Sequence, residues 1–421
     1  MQQRMEKGFG PTYEVDTVLT DGSTLTSTHK VAAVGSLGTA SGRKAFMELP
    51  AKMPNLRFVG VGVTEAGVAH NEPTMVALAE FLHGCFIARQ ATSAVASRGA
   101  RIAPPISILN TDNVPFNGDA VKSHVLACDY MQGLDVEDAN ALERWLRSSV
   151  VFHNAMVDRI TSMREGDTNV PRAEPSPAKA LVIEDVSHVL PATLAAVPGV
   201  ILRTESGELP LDIQLKLRVA NGLHTAMTYT MALAREFTTD ACADASSPIL
   251  PYLEQLFERD VVHMASELGC GREAVTPVYV EWLARLQHRH FGISTFFVAQ
   301  NATQKLSLRL VPSIRAVGAA GEAPSDFMAF ALAAMLRYLT PIGEQPRIDE
   351  QPRPVFVGRL DAPGDGGGSL TQAPHPEALV YAAGLKVDGR AGTYEFADGN
   401  GLVPLLLRPL GRPRGASAVA V

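Results

Sequence analysis

The chain has 421 residues, 46% of them hydrophobic, and a formal net charge of −7. Such a chain buries large cores and is expected to form two domains; its acidic balance argues against nucleic acid as a partner, which selects a basic face. The four cysteines are scattered without a C-x2-C pair, so neither a zinc ribbon nor a disulfide framework is indicated and a reducing, cytoplasmic setting is the default. The opening MQQRMEKGFGPTY lacks the apolar run of a signal peptide, and no apolar stretch is long enough to span a bilayer, so no membrane is expected.

Residues 13–20 alternate and are rich in β formers; they read as a strand closing at Asp21-Gly22. Residues 30–34 form a second apolar run leading into Gly35, Gly38 and Gly42. That spacing is neither the dinucleotide G-x-G-x2-G nor a Walker motif, so an ordinary turn is favoured over a phosphate loop. Residues 56–63 read as a buried strand, with Thr64 and Glu65 at its C-terminal end, where ligands bind in open α/β sheets. A helix over 72–89 precedes a buried strand at 105–109. The strand ends in Asn110-Thr111-Asp112-Asn113-Val114-Pro115-Phe116-Asn117-Gly118, a polar cluster that is either turn chemistry or a site.

Helices are expected at 119–131 and 139–151, followed by FHNAMVDRIT at 152–161. The Asp158-Arg159 neighbours there fit a surface ion pair as well as a site. Residues 164–179 hold three prolines and read as a loop; 180–183 and 200–203 read as strands, the first running into Glu184-Asp185. Strands alternating with helices imply a sheet with parallel content.

After Pro210 the pattern turns helical. Residues 210–237 read as one long helix with Pro210 in its first turn. Lys216, Asn221 and His224 interrupt its apolar stripe within an arc of roughly 140° and about 12 Å of axis. An ammonium, an amide and an imidazole on one face suit proton transfer at a carbonyl or hydroxyl. A helix lysine is usually solvated, and a lone histidine is usually structural. Asn221-Gly222 is less easily dismissed, because together the two cost about 1–1.5 kcal/mol of helix propensity. Further helices are expected at 251–268, 278–289, 305–317 and 326–339. His288 and His290 diverge on a helix and do not form a metal pair. The domains are thus 1–207, α/β; 208–341, helical; and 342–421, a Pro/Gly-rich tail with a linker-like run at 364–369, a short β element at 386–407 and a disordered end.

Three segments together resemble the polyol-specific long-chain dehydrogenases, the family of mannitol 2-dehydrogenase and fructuronate reductase: NTDNVPFNG at 110–118, FHNAMVDRIT at 152–161 and KLRVANGLH at 216–224. VTEAG at 63–67, VIED at 182–185 and QKLSLRLVP at 304–312 support the match. The resemblance implies a Rossmann-like domain followed by an all-helical domain. It also implies a metal-independent, NAD- or NADP-dependent oxidoreductase that interconverts a secondary alcohol of a polyol or sugar acid with the ketone, as a monomer or small homo-oligomer. By resemblance, Lys216 is the general base, Asn113 and Asn221 polarise the oxygen, and His224 and Lys305 orient substrate. Asp158 and Arg159 lie in the matched signature, and Thr64, Glu65 and Asn113 are expected cofactor contacts; Asp16 or Asp21, near the end of the first strand, is the expected contact to the adenosine ribose.

The family opens with a strand and a G-x-G phosphate loop, and this sequence starts beyond that point, so both are expected to be missing. Ile213 stands where the family usually has a glutamate, His153 where it has proline and Thr111 where it has cysteine. A non-catalytic relative that has lost cofactor binding is the alternative reading.

Overall fold

The computed structural model describes residues 12–356, apart from 64–66, 96–102, 113, 165, 235, 237, 300–304, 340 and 346–352. The chain divides into two compact units, Met1–Leu19 with Ser23–Ile213, and Thr20–Gly22 with Gln214–Val421.

The first unit opens with β1 (Thr12–Val18) and β2 (Thr24–Lys30), antiparallel in a register from Thr12↔Lys30 to Val18↔Thr24. The second strand is therefore not residues 30–34. Its TLTSTHK sequence has no apolar face, and every residue is exposed. Irregular backbone leads into the glycine run, which ends at α1 (Ala40–Met47). Thr39 caps that helix by accepting from the Gly42 N–H at 3.1 Å, so the run is a turn and cap, set off from β2 by irregular backbone.

A parallel sheet ordered β3-β4-β5 follows, built from β3 (Phe58–Val61), β4 (Ile106–Asn110) and β5 (Val150–His153). Between these strands run α2 (Pro73–Val95), α3 (Asn117–Ala127) and α4 (Val136–Ser149). Ile106 and Ile108 of the central strand pack against Met75, Leu82, Val121, Leu142 and Leu146, each essentially without exposure. Burial of one such side chain stabilises by about 1.5–3 kcal/mol. β3 is an edge strand and leaves Phe58 exposed, so the apolar run at 56–63 is only half buried. The helix expected at 119–131 breaks at Cys128, and the one expected to reach residue 151 stops at Ser149, because Val150 pairs with Ile106.

β6 (Ala155–Val157) starts one residue after β5. β7 (Thr161–Arg164) and β8 (Asp167–Ala173) form a hairpin where a proline-rich loop was expected. Pro171 is tolerated because β8 pairs with β1 only from Arg172 onward, after the residue without an N–H. These strands make a sheet ordered β2-β1-β8-β7. β9 (Leu181–Glu184) and β10 (Val200–Arg203) run parallel, with β6 antiparallel to β9.

The second unit is dominated by helices. The boundary at Ile213 falls within α5 (Glu208–Leu215), which is separated from α6 (Asn221–Leu233) by a single π turn, Lys216–Ala220. α7 (Ile249–Arg259), α8 (Arg272–Leu286), a second π turn Leu306–Leu310, α9 (Val311–Ala319) and α10 (Asp326–Leu339) follow. The chain then makes an antiparallel ribbon of β11 (Pro341–Gln345) and β12 (Arg353–Phe356), where only tail was expected. The linker-like run at 364–369, the β element expected at 386–407 and the terminal segment lie outside the described residues. Among the described residues no helix is long and apolar enough to cross a membrane.

Candidate active site

The segment KLRVANGLH does not lie on an uninterrupted α-helix. The Asn221 N–H donates to the Lys216 carbonyl, an i→i+5 bond that closes a π turn. Residues five apart are thereby drawn toward one side, so Lys216 and Asn221 stand closer in angle than α geometry implies. π turns are rare and concentrate at functional sites. Lys216 is 9% exposed, in contrast to the solvated lysine that composition favours. His224, one turn further on, faces the Trp282 ring of α8 at 6.1 Å between centroids.

A second π turn repeats the arrangement, with the Val311 N–H donating to the Leu306 carbonyl. Lys305 immediately precedes it, and its Nζ donates to the Val298 carbonyl at 2.6 Å. The two π turns lie against each other. Gly222 is the close-approach residue: a Cβ there would stand 3.3 Å from the Arg309 carbonyl. This explains the weak helix former that the sequence left unexplained. Arg309 itself reaches back, its Nη1 donating to Thr225 Oγ1 at 3.0 Å, and the Thr225 hydroxyl donates to the Asn221 carbonyl at 2.8 Å. Sequence reading passed over Arg309; its spacing of four from Lys305 was the available signal.

In the first unit, the two other signature segments are stitched together. Asn117 Nδ2 donates to the Ala155 carbonyl at 3.1 Å, and its Oδ1 accepts from the Ala155 N–H at 2.9 Å. Asn154 Nδ2 bridges Asp119 Oδ2 at 3.0 Å and Glu184 Oε2 at 3.1 Å. His153 is 2% exposed; its Nδ1 lies 2.7 Å from the Glu184 carbonyl and its Nε2 3.1 Å from Ser107 Oγ. A carbonyl can only accept, so Nδ1 carries the proton and Nε2 accepts from Ser107. Burial lowers the imidazole pKa from its ordinary value, against a smaller raising by that carbonyl and the Asp185 and Glu184 charges.

The expected site residues fare unequally. Asn113, Thr64 and Glu65 lie outside the described residues. Asp158 and Arg159 follow β6; the Asp158 N–H donates to the Ala180 carbonyl at 2.9 Å. Arg159 clasps the Glu174 carbonyl through Nε at 3.2 Å and Nη2 at 3.0 Å, which is a structural use of that side chain. Asp16 is a correction. It sits in β1, in a different sheet from β3-β4-β5, 4% exposed, and both its oxygens are taken by Arg164 at 2.7 Å, one of them also by Thr26. A ribose would have to break that ion pair.

Two buried acceptors at the C-terminal end of β4 have no hydrogen-bond partner among the described residues: Asn110 Oδ1 and Asp112 Oδ2. Open α/β sheets bind nucleotides at this edge, and a dinucleotide brings amide and ribose hydroxyl donors. The residues present therefore fit such a cofactor. Among the described residues no group of three or more His, Cys, Asp or Glu is placed to hold a metal ion.

Residues 13–189 match the family model described as the mannitol dehydrogenase Rossmann domain. The chain is 26% identical over 321 residues to an uncharacterised oxidoreductase, YdfI, of Escherichia coli (strain K12), covering 69% of this chain and 61% of that protein. It is 24% identical to altronate oxidoreductase of Klebsiella pneumoniae over 70% of this chain and 61% of that one. Against mannitol 2-dehydrogenase of Cereibacter sphaeroides the identity is 26%, over 70% and 63%. The chain thus spans about three-fifths of the length of these relatives. Among solved structures, substrate-free D-sorbitol dehydrogenase superposes with a TM-score of 0.64 at 16% identity, over 96% of this chain and 86% of that one. Pseudomonas fluorescens mannitol 2-dehydrogenase in ternary complex with NAD and D-mannitol gives 0.60 at 18%, over 98% and 86%. At these identities the structural likeness is one of fold.

Proposed function

Because the chain belongs to a mannitol dehydrogenase-like family of oxidoreductases, we propose that it interconverts a secondary alcohol of a polyol or sugar acid with the corresponding ketone. It does so with NAD or NADP and without a metal, as a cytoplasmic monomer or small homo-oligomer. The observation that carries this reading is Lys216, a largely buried amine at the first residue of a π turn within KLRVANGLH.

In the oxidation direction Lys216 Nζ takes the hydroxyl proton; in reduction it returns a proton to the carbonyl oxygen. The side-chain amides of Asn221 and Asn113 donate to that oxygen as its charge changes, the work a metal does in other alcohol dehydrogenases. His224, held beside Trp282, and Lys305, fixed on the Val298 carbonyl, bind the sugar hydroxyls. Asp158, within the matched signature, takes part in substrate binding, and Thr64, Glu65 and Asn113 contact the cofactor. The nicotinamide, when bound, supplies the hydride acceptor or donor.

Purified protein is tested with NADH and NADPH against fructose, fructuronate and tagaturonate. The expected result is ketone-dependent oxidation of one cofactor, abolished by Lys216→Ala. A folded sample that turns over none of the three, or a K216A variant with unchanged kcat, overturns the reading.

A further inference from the structure

Among the described residues Arg309 forms no ion pair, and its one hydrogen bond is the donation to Thr225 Oγ1. A guanidinium carries five N–H donors in a planar fork, so most of this one is unused. Arg309 is nonetheless drawn into the second unit, and burial pushes its pKa down to about 10, with only Tyr229 opposing that trend. It stays charged at neutral pH. A charge withdrawn from water normally finds a partner, because isolation costs several kcal/mol. The residue as a whole keeps intermediate exposure.

Its position ties it to the candidate site. The Arg309 backbone touches Gly222, and its side chain is linked through Thr225 to the carbonyl of Asn221. Lys305 and Lys216 are on the same pair of adjacent π turns. This stretch therefore carries three basic residues, Lys216, Lys305 and Arg309, on or next to two adjacent π turns. Neutral sugar hydroxyls need no such concentration of positive charge, whereas an oxyanion matches a guanidinium fork in shape and sign.

Resting on the reading of this site as a sugar dehydrogenase, we propose that Arg309 binds an oxyanion of the substrate, a carboxylate or a phosphate, and so sets a preference for anionic sugars over neutral ones. It acts on specificity and takes no part in proton transfer.

The test compares wild type, Arg309→Met and Arg309→Lys on fructose, fructuronate and fructose 6-phosphate. Steady-state kinetics with both cofactors are run beside calorimetric titration of the same three sugars. Wild type is expected to favour one anionic sugar, and which one identifies carboxylate or phosphate. In R309M the ratio of kcat/KM for that sugar to kcat/KM for fructose should fall on the order of 100-fold, mainly through KM, because a desolvated charge pair has lost one partner. R309K, which keeps the charge and loses the fork, should retain part of the preference. It carries the test if R309M does not fold. A preference unchanged in both variants, or a wild type that favours fructose, overturns the proposal. If no sugar is turned over, the dehydrogenase reading fails, and titration alone decides: anion binding weakened on the order of 100-fold in R309M sustains the oxyanion site, and absence of anion binding to folded wild type removes it.

Discussion

The side-chain amide of Asn117 pairs with the peptide of Ala155 as a neighbouring strand would, donating to its carbonyl at 3.1 Å and accepting from its N–H at 2.9 Å. Asn117 is the first residue of α3 and Ala155 the first of β6, so this one contact fastens the turn after β4 to the start of the next sheet. Asn117→Ala leaves both peptide groups of a 3%-exposed residue without partners. The expected loss is about 2–5 kcal/mol of stability, read as a fall in the urea midpoint at unchanged m.

Gly118 permits that contact. A Cβ there would stand 2.5 Å from the carbonyl carbon of His153 and 2.7 Å from the Asn154 nitrogen, both backbone atoms that cannot step aside. Gly118→Ala should therefore cost more than about 3 kcal/mol or prevent folding. Near-native Tm in G118A would contradict the docking.

Gly222 gives a graded case. Alanine there gains about 1 kcal/mol of helix propensity and has to move the Arg309 carbonyl, 3.3 Å away, by a few tenths of an ångström. Stability of G222A should stay within about 1 kcal/mol of wild type. Its kcat should fall, because the two π turns bearing Lys216 and Arg309 are pushed apart. Gly222→Val cannot be accommodated and should lose about 2–3 kcal/mol. Equal kcat in wild type and G222A would show that the spacing of the π turns is immaterial.

His153 predicts an acid-side stability loss. Burial depresses its folded-state pKa below the ordinary 6.5, so above about 6.5 it is neutral in both states and costs nothing. As pH falls below that value the unfolded chain takes up a proton that the folded chain resists, and stability declines. Denaturant midpoints between about pH 7.5 and 5.5 should fall more steeply for wild type than for His153→Asn. Parallel slopes would refute this assignment.

Asp16 works in the opposite range. The Arg164 guanidinium holds its carboxyl at about 2, so this stabilisation is complete above the ordinary 3.8 and is lost only as pH falls from there through about 2. Arg164→Met strands a buried carboxylate. The variant should be less stable than wild type at pH 7, by less than the loss of a fully buried pair because Arg164 is partly solvated. The loss should shrink on acidification toward pH 3, a trend that thermal melts would reveal.

Local sequence alone was enough for the α/β region, the helical region and the three signature segments, because strand runs, caps and the Lys216–His224 spacing are written within a few residues. β4 and β10 are nearly where alternation and β-branching put them. The proline-bearing strand β8 escaped, since a partner strand far earlier in the chain, seen at Asp16↔Arg172 and Thr17↔Ala173, tolerates Pro171 by its register. Asp16 was misjudged for the same reason: Arg164, which consumes it, is distant in sequence. The π turns were equally hidden, because an i→i+5 bond leaves no mark in a 3.6-residue periodicity and persists through packing between distant segments, here Gly222 on the Arg309 carbonyl. Chemistry of residue types is a local property of the sequence; which of those residues is spent on a neighbour, and which is left over to meet a ligand, is decided only when remote parts of the chain are brought into contact.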